Sequence, residues 1–167
     1  MKFNFLVLFL SALIPLAIGF VWYHKKVFGT TWLRVSNISE EQTKNTNMAL
    51  TFGLTYLFSL FIALAIHGMV IHQMHIYSIV VDEPAIKDPN SELNLWIKGF
   101  MDKYGNNFRT FKHGAFHGFL TGIFVALPII GINALFERKS FKYVAINVGY
   151  WTLCIALMGG VICEFAK

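Results

Sequence analysis

Four long apolar runs divide the chain, and we place them at residues 3–23, 48–72, 115–136 and 141–165. Each run holds about twenty residues or more, enough for an α-helix to cross a hydrocarbon core of about 30 Å. Apolar residues continue past the second run to Val81, about 50 Å of helix, so we expect this helix to project from the bilayer or to break near Gly68. The pattern predicts an all-α fold: an integral membrane bundle of four transmembrane helices that forms one domain over residues 1–167.

An amphipathic segment lies between the second and third runs. Ser91 offers an N-cap, and apolar side chains then recur at helical spacing over residues 92–104. Because aromatic residues suit the headgroup region, we expect Trp96, Phe100 and Tyr104 to lie in the membrane interface. The alternative is that this helix caps the bundle or docks a partner. The whole apolar stripe consists of Leu93, Trp96, Ile97, Phe100, Met101 and Tyr104.

Composition and charge agree with a membrane protein. Hydrophobic residues make up 56% of the 167 positions and charged residues only 14%, against roughly 25% in an average soluble domain. The formal charge of +5 suits anionic lipid headgroups, so we expect membrane lipids as partners and no nucleic acid. A signal peptide is the alternative for the first run. Its length, and the lack of a clear small-residue cleavage site before Trp22, favour an uncleaved helix.

The last two runs form a predicted helical hairpin. Only residues 137–140 connect them, so the two helices must be antiparallel neighbours. Asn133 and Asn147 then lie at depths that differ by about one helical turn. A mutual hydrogen bond would satisfy both amides in apolar surroundings, and the alternative partners are water or backbone groups near the interface.

Small residues indicate helix packing in the same hairpin. Gly114, Gly118 and Gly122 recur every four residues, and such a strip lets another backbone approach closely. The partner is either a helix of the same chain or a second protein. Cys154 and Cys163 are nine residues apart on one helix, which excludes a disulfide between them, and we interpret them as small apolar core residues.

Short aromatic motifs occur in the first run with its loop and again in the last two runs. They are Trp22-Tyr23, Val27-Phe28-Gly29, Trp32-Leu33, Phe116-His117-Gly118, Leu127-Pro128, Asn133, Leu135-Phe136-Glu137-Arg138 and Gly149-Tyr150-Trp151. In these motifs, over roughly half of its length, the chain resembles a bacterial family of small four-helix membrane proteins, the domain of unknown function 1761 family. The resemblance implies a bacterial inner-membrane location and the same four-span layout, and it brings no activity or cofactor. The histidine-bearing end of the second run and the amphipathic segment depart from it, so a function located there would be particular to this branch.

Five histidines gather at one end of the predicted bundle. His67, His72 and His75 close the second run, and His113 and His117 open the third, with both ends on the same side. His113 and His117 share one helix face, as His72 and His75 nearly do. Imidazole nitrogen binds Zn, Cu or haem iron, so these five are candidate metal ligands, although neither group includes a carboxylate or thiolate at ligand spacing. The alternative is that they are boundary residues, with an apolar body and a polar tip.

Familiar catalytic motifs are absent from the sequence. It holds no phosphate-binding glycine loop, HExxH, GxSxG or paired carboxylates, so hydrolase and nucleotide chemistry are not expected. Our leading hypothesis is a non-enzymatic membrane protein, without a cofactor, that acts as an accessory or scaffolding subunit by binding other subunits or itself. The alternative is a small metal- or haem-binding redox protein that uses the histidines. A third hypothesis is that a lipid or quinone binds between the second and third helices.

Overall fold

The computed structural model describes residues 4–166, and for Glu40 the backbone alone. Within this range every regular element is helical and no strand occurs, so the predicted all-α class is confirmed. The predicted start of the first run, Phe3, lies outside the described residues. Four helical segments, which we call the first to fourth long helices, are long and apolar enough to cross a membrane: Phe5–Trp22, Met48–Val70, Phe111–Phe136 and Phe141–Phe165.

Two of the long helices are interrupted at a proline. Pro15 and Pro128 each stand in the first turn of the part that follows the interruption, where a missing N–H leaves no helical hydrogen bond unmade. The first long helix consists of Phe5–Ser11 and Ile14–Trp22, and the third consists of Phe111–Thr121, the π-helical turn Gly122–Ala126 and Leu127–Phe136.

The second apolar run breaks, as one of its two predicted alternatives requires. Its helix ends at Val70, because Ile71 leaves the helical conformation with φ −104° and ψ 84°. A new helix runs over Gln73–Ile79, with His72 at its N-terminal boundary. The break therefore lies three residues beyond Gly68, and it sets His72 apart from the long helix that precedes it.

Short helices fill the connections between the long ones. Between the first and second lie the π-helical turn Lys25–Gly29, Thr30–Ser36 and Glu40–Lys44, and between the second and third lie Gln73–Ile79, the 3-10 turn Pro84–Lys87 and the amphipathic helix Glu92–Tyr104. Side-chain oxygens that accept an N–H from the first turn fix several helix starts, because the first backbone donors of a helix have no partner within it. These capping residues are Ser39, Asn47, Ser91, Thr110 and Ser140.

The fourth long helix is the centre of the fold. Of its most apolar 18-residue stretch 61% is buried, against 22%, 17% and 11% for the first, second and third long helices. All three pack around it, and the side chains of Cys154, Met158 and Ile162 are fully enclosed. On the outer helices many large apolar side chains are exposed, among them Phe20 and Phe136. An apolar surface of this extent is typical of a protein that contacts lipid or a partner.

Glycines bring the third and fourth long helices into backbone contact. A Cβ atom on Gly114 would overlap the carbonyl oxygen of Gly159, and one on Gly118 would overlap that of Ile155. No side chain larger than a hydrogen atom fits at either position. The predicted glycine strip therefore packs inside the chain, which is the first of its two alternatives, and Gly122 continues the strip against Thr152.

Asn147 attaches the first connection to the fourth long helix. Its Oδ1 accepts hydrogen bonds from the Tyr23 hydroxyl at 3.3 Å and from Trp32 Nε1 at 3.2 Å, and its Nδ2 donates to the carbonyl oxygen of Tyr143. Burial raises the pKa of Tyr23 above its ordinary value, which keeps the hydroxyl protonated and able to donate.

Of the two alternatives for the amides of Asn133 and Asn147, the mutual hydrogen bond does not form, and Asn147 donates to a backbone carbonyl instead. Both polar atoms of the Asn147 amide are bonded to other groups, and Asn133 is exposed on the third long helix. The prediction matched the depths of the two residues along their helices. It did not fix the direction in which each side chain leaves its helix axis, and that direction separates them.

Replacing Gly118 by leucine should destabilise the fold. The new side chain would overlap the backbone of Ile155 and push the third and fourth long helices apart, at a cost of about 1–3 kcal/mol. Thermal unfolding of the purified protein in a mild detergent measures this loss. Gly131→Leu is the matched control, because nothing lies within 4 Å of a Cβ at that glycine of the same helix. Equal melting temperatures for the two variants would contradict the packing.

Replacing Asn147 by alanine should loosen the first connection. The change leaves the half-buried donors of Tyr23 and Trp32 without an acceptor, which costs about 1–3 kcal/mol. In a chain of this size that corresponds to a fall in melting temperature of roughly 2–4 °C per kcal/mol. Asn133→Ala removes the same group from an exposed position and should leave the melting temperature unchanged. A fall of the same size in both variants would argue against the Asn147 contacts.

Candidate metal centre

Three of the five candidate histidines meet where the second long helix ends and the third begins. His113 and His117 lie one turn apart on the third long helix, with ring centroids 4.5 Å apart. The break after Val70 brings His72 from the other side, and its ring centroid lies 5.0 Å from that of His113 and 4.9 Å from that of His117. The three imidazoles therefore form a triangle supplied by two separate elements.

The triangle offers nitrogen ligands at short range. Each of His72, His113 and His117 has a ring nitrogen within 4.8 Å of those of the other two. Nε2 of His113 is buried and has no hydrogen-bond partner in the described part of the chain. A buried polar atom without a partner is unfavourable, and a bound cation would supply the missing interaction. Nε2 of His113 is thus a buried nitrogen without a described hydrogen-bond partner, close to the ring nitrogens of the other two histidines.

The other two candidate histidines stand outside the triangle. The ring of His75 stacks on the outer side of His72 at 6.4 Å, but His75 is not in the group of mutually close ligand atoms. His67 is buried inside the second long helix and is also outside that group. Of the five candidate ligands that the sequence places at this end of the fold, three form the compact set, and their role as ligands stays a prediction.

The surroundings of the triangle favour neutral imidazole. Burial lowers the pKa of His72, and the neighbouring imidazoles of His117 and His75 lower it further. Neutral imidazole is the form that binds metal through a ring nitrogen. The Phe108 ring lies 5.1 Å from the His113 ring, and the Phe116 ring lies 6.1 Å from the His117 ring, so aromatic side chains flank these two histidines, while the His72 side chain is exposed.

Cys163 joins the two segments that carry the histidines. Its Sγ lies 3.5 Å from the carbonyl oxygen of Val70, where the second long helix ends, and 3.3 Å from that of Phe108, just before the third begins. One thiol proton can serve either acceptor. We interpreted Cys163 from the sequence only as an apolar filler; no spacing rule relates it to the histidines, because the relation arises from tertiary packing.

Arg109 fixes the start of the third long helix against the end of the fourth. Its side chain is buried, Nε donates to the carbonyl oxygen of Cys163 at 3.0 Å, and Nη2 donates to that of Ala166. These carbonyls are the unpaired acceptors at a helix C-terminus, where a cation also complements the helix dipole. The Glu164 carboxylate in turn accepts the backbone N–H of Phe111 at 2.7 Å. These contacts of Arg109 and Glu164 were not predicted from the sequence, although a single arginine next to an apolar run could have suggested the contacts of Arg109.

A cleft of about 510 Å³ adjoins the triangle on the side of His72. The amphipathic helix forms one wall with Phe100, Met101 and Tyr104, and Gln73 lies on the opposite side, where its Nε2 donates to the carbonyl oxygen of Asn107. The ring centroids of Trp96 and Phe100 are 5.5 Å apart and those of Phe100 and Tyr104 are 5.0 Å apart. The three residues predicted to be interfacial thus form a row of rings beside the cleft, and their place in a membrane interface stays a prediction.

Comparison with known proteins identifies a family. The family model described as "Protein of unknown function (DUF1761)" matches residues 6–163. The matched range includes the histidine-bearing end of the second long helix and the amphipathic helix, so the resemblance extends well beyond the half of the chain that carries the aromatic motifs. No curated protein and no solved structure gives a significant match. Over nearly its whole length, the chain belongs to the DUF1761 family of proteins of unknown function.

Proposed function

We propose that the chain is a multi-pass membrane protein that binds one transition-metal ion through His72, His113 and His117. The observation that carries this proposal is the mutual approach of three ring nitrogens, within 4.8 Å, from two separate elements. Zn–N bonds of about 2.0–2.1 Å place tetrahedral nitrogen ligands about 3.4 Å apart. Small rotations of the imidazole rings can shorten the distances between the three nitrogens to this value.

The proposed membrane location rests on the length of the four apolar helices and on the exposure of their apolar side chains. Four helices have mean hydropathy between 1.7 and 2.5 over their most apolar stretches, and most of the surface of three of them faces outward. In water this apolar surface would drive association, whereas in a bilayer it is solvated by acyl chains. A bacterial inner membrane is the location that the family resemblance suggests, and we propose it on that ground.

The ligand chemistry favours a first-row transition metal. Neutral imidazole suits Zn, Cu, Ni and Fe, whereas Mg and Ca require oxygen ligands, and the triangle includes no carboxylate among the described residues. Three histidines also leave a coordination position open for water or another small ligand. Because His72 lines the adjoining cleft, a small molecule in the cleft would have access to that position.

A bare ion fits the site better than a bis-histidine haem. The two axial imidazoles of such a haem stand on opposite faces of the macrocycle, and contact layers of about 3.5–4.0 Å on each face require roughly 7 Å between the rings. The three ring centroids of the triangle are 4.5 to 5.0 Å apart. A macrocycle would have to separate the second and third long helices to enter between any two of them.

The scaffolding hypothesis has less support than the metal site. It relied on glycine-lined faces and on the amphipathic helix as docking surfaces, and Gly114, Gly118 and Gly122 are all occupied by the fourth long helix. Gly159 packs against Gly114, and Gly160 packs against the ring of Phe111. Binding of other subunits or of a second copy stays a prediction without an assigned surface.

Removing His117 should abolish tight metal binding. Protein purified in a mild detergent and stripped with a chelator should take up one Zn²⁺ per chain, measured by elemental analysis and by titration calorimetry. His117→Ala should weaken binding about 100-fold, since structural sites distribute about 10–16 kcal/mol over four ligands. His75→Ala is the matched control, because it removes a histidine that lies outside the triangle, and it should leave the affinity within a factor of about three. Stoichiometry below 0.2 per chain with Zn²⁺, Cu²⁺ and Ni²⁺ alike would refute the site.

Membrane location has its own test. In cells that express the chain, the protein should sediment with membranes after ultracentrifugation. It should stay there through an alkaline carbonate wash, because four helices that cross the bilayer hold it in the lipid. Extraction by carbonate alone would exclude a multi-pass protein. A peripheral protein expressed in the same cells serves as the control that is released.

A further inference from the structure

The first and second long helices separate at the end of the fold opposite the histidines. The Tyr56 hydroxyl donates to the carbonyl oxygen of Phe9 at 3.3 Å and joins the two helices. Nearer the first connection a groove of about 710 Å³ opens between them, with Tyr150 and Trp151 of the fourth long helix on its floor. This volume is within the range of about 300–1,000 Å³ that is typical of small-molecule sites.

The walls of the groove present carbon to an occupant, because the hydroxyl groups along them already donate, that of Tyr23 to Asn147 Oδ1 and three others to backbone carbonyls. The Tyr150 hydroxyl donates to Pro15 at 2.7 Å. Thr51 Oγ1 donates to Asn47, and Thr55 Oγ1 donates to Thr51. An apolar chain would therefore displace no hydrogen bond that these three side chains make as donors.

The rim of the groove is cationic and offers a donor. Lys25 and His24 line it at the end of the first long helix, and none of its described lining residues is acidic. His24 Nδ1 accepts the backbone N–H of Lys26 at 3.2 Å, which leaves the Nε2–H of the ring as a donor toward the groove. An ammonium beside an N–H donor suits a singly charged carboxylate.

Aromatic rings bound the groove. The rings of Phe20 and Phe52, from the first and second long helices, approach to 5.6 Å between centroids. Gly19 faces the Tyr150 ring. Apolar walls of this kind suit an acyl chain. The groove extends from Pro15 to Tyr23, about 12 Å along the helix, so it would hold the part of a long chain that lies next to the carboxylate.

We propose that this groove binds a long-chain fatty acid, with its carboxylate at Lys25 and His24 and its chain between the first and second long helices. The inference rests on the proposed membrane location and does not depend on the metal site, which lies at the other end of the second long helix. Charge at the rim distinguishes this ligand from a neutral quinone, and carbon along the walls suits its chain. Competition with phosphatidylglycerol separates it from a two-chain phospholipid.

Quenching of tryptophan fluorescence by 9,10-dibromostearate tests the proposal. Trp32 and Trp151 line the groove, so bromine atoms bound there should quench their part of the emission, whereas Trp22 and Trp96 do not line it and contribute the remaining emission. The full chain is reconstituted in nanodiscs of phosphatidylcholine, and the dibromostearate is titrated in. Saturable quenching with one site per chain is expected, and the methyl ester of the same acid should give only a linear, non-saturable response.

Two variants separate the headgroup from the chain. Lys25→Gln removes the charge at the rim and should weaken binding about tenfold or more, as for a hydrogen bond to a charged group. Gly19→Leu puts a side chain into the groove, and its Cβ would meet Tyr150 Oη at 3.5 Å, an ordinary contact. It should abolish saturable quenching. Gly53→Leu is the matched control, because Gly53 faces open space on the second long helix and does not line the groove, and it should bind as the unaltered chain does.

Three outcomes would overturn the proposal. Equal binding of the acid and its methyl ester, or no change in Lys25→Gln, would show an apolar groove without selection for a carboxylate. Displacement of the probe by phosphatidylglycerol as efficiently as by unbrominated stearate would assign the site to a two-chain lipid. Unaltered saturable quenching in Gly19→Leu would place the ligand elsewhere. Failure of the membrane proposal is a separate result, since the protein would then not enter nanodiscs, and zinc titration of the same variants reports on the metal site alone.

Discussion

The close approach of the third and fourth long helices determines the rest of the structure. It depends on the absence of side chains at Gly114 and Gly118, where the backbone of one helix lies against the backbone of the other. Successive residues of an α-helix differ by about 100° in direction, so the residues just before these glycines, His113 and His117, leave the helix on a different face. That face points to the end of the second long helix, and the packing of glycine thereby orients both histidines toward His72.

Sequence patterns predicted the elements of this fold better than their mutual directions. Apolar length gave the four long helices, and a connection of only four residues made the third and fourth antiparallel neighbours. Similar depth in the hairpin was not enough to bring the amides of Asn133 and Asn147 together. Two residues at one level of a hairpin meet only when their side chains also point toward each other. Tyr23 and Trp32, more than a hundred residues away in sequence, occupy the Asn147 amide, and no local pattern relates them to it.

The candidate site, too, was predicted only as far as local sequence patterns reach. Spacing of four residues placed His113 and His117 on one face, and topology brought the ends of two helices together. Selecting His72 over His67 and His75 required the position of the break, which lies at Ile71 and not at Gly68, where the length of the apolar run suggested it. The contribution of Cys163 follows only from the tertiary fold, since its thiol reaches two carbonyl oxygens that lie 93 and 55 residues away in the chain.

The position of the core within the chain has a consequence for biogenesis. The helix on which the other three pack is the last one in the sequence, and it is also the least apolar of the four, with a mean hydropathy of 1.7. During synthesis the ribosome completes the outer helices before the surface that joins them exists. The nascent polypeptide therefore passes through a stage in which the first three long helices can contact one another but lack the common surface on which all three finally pack.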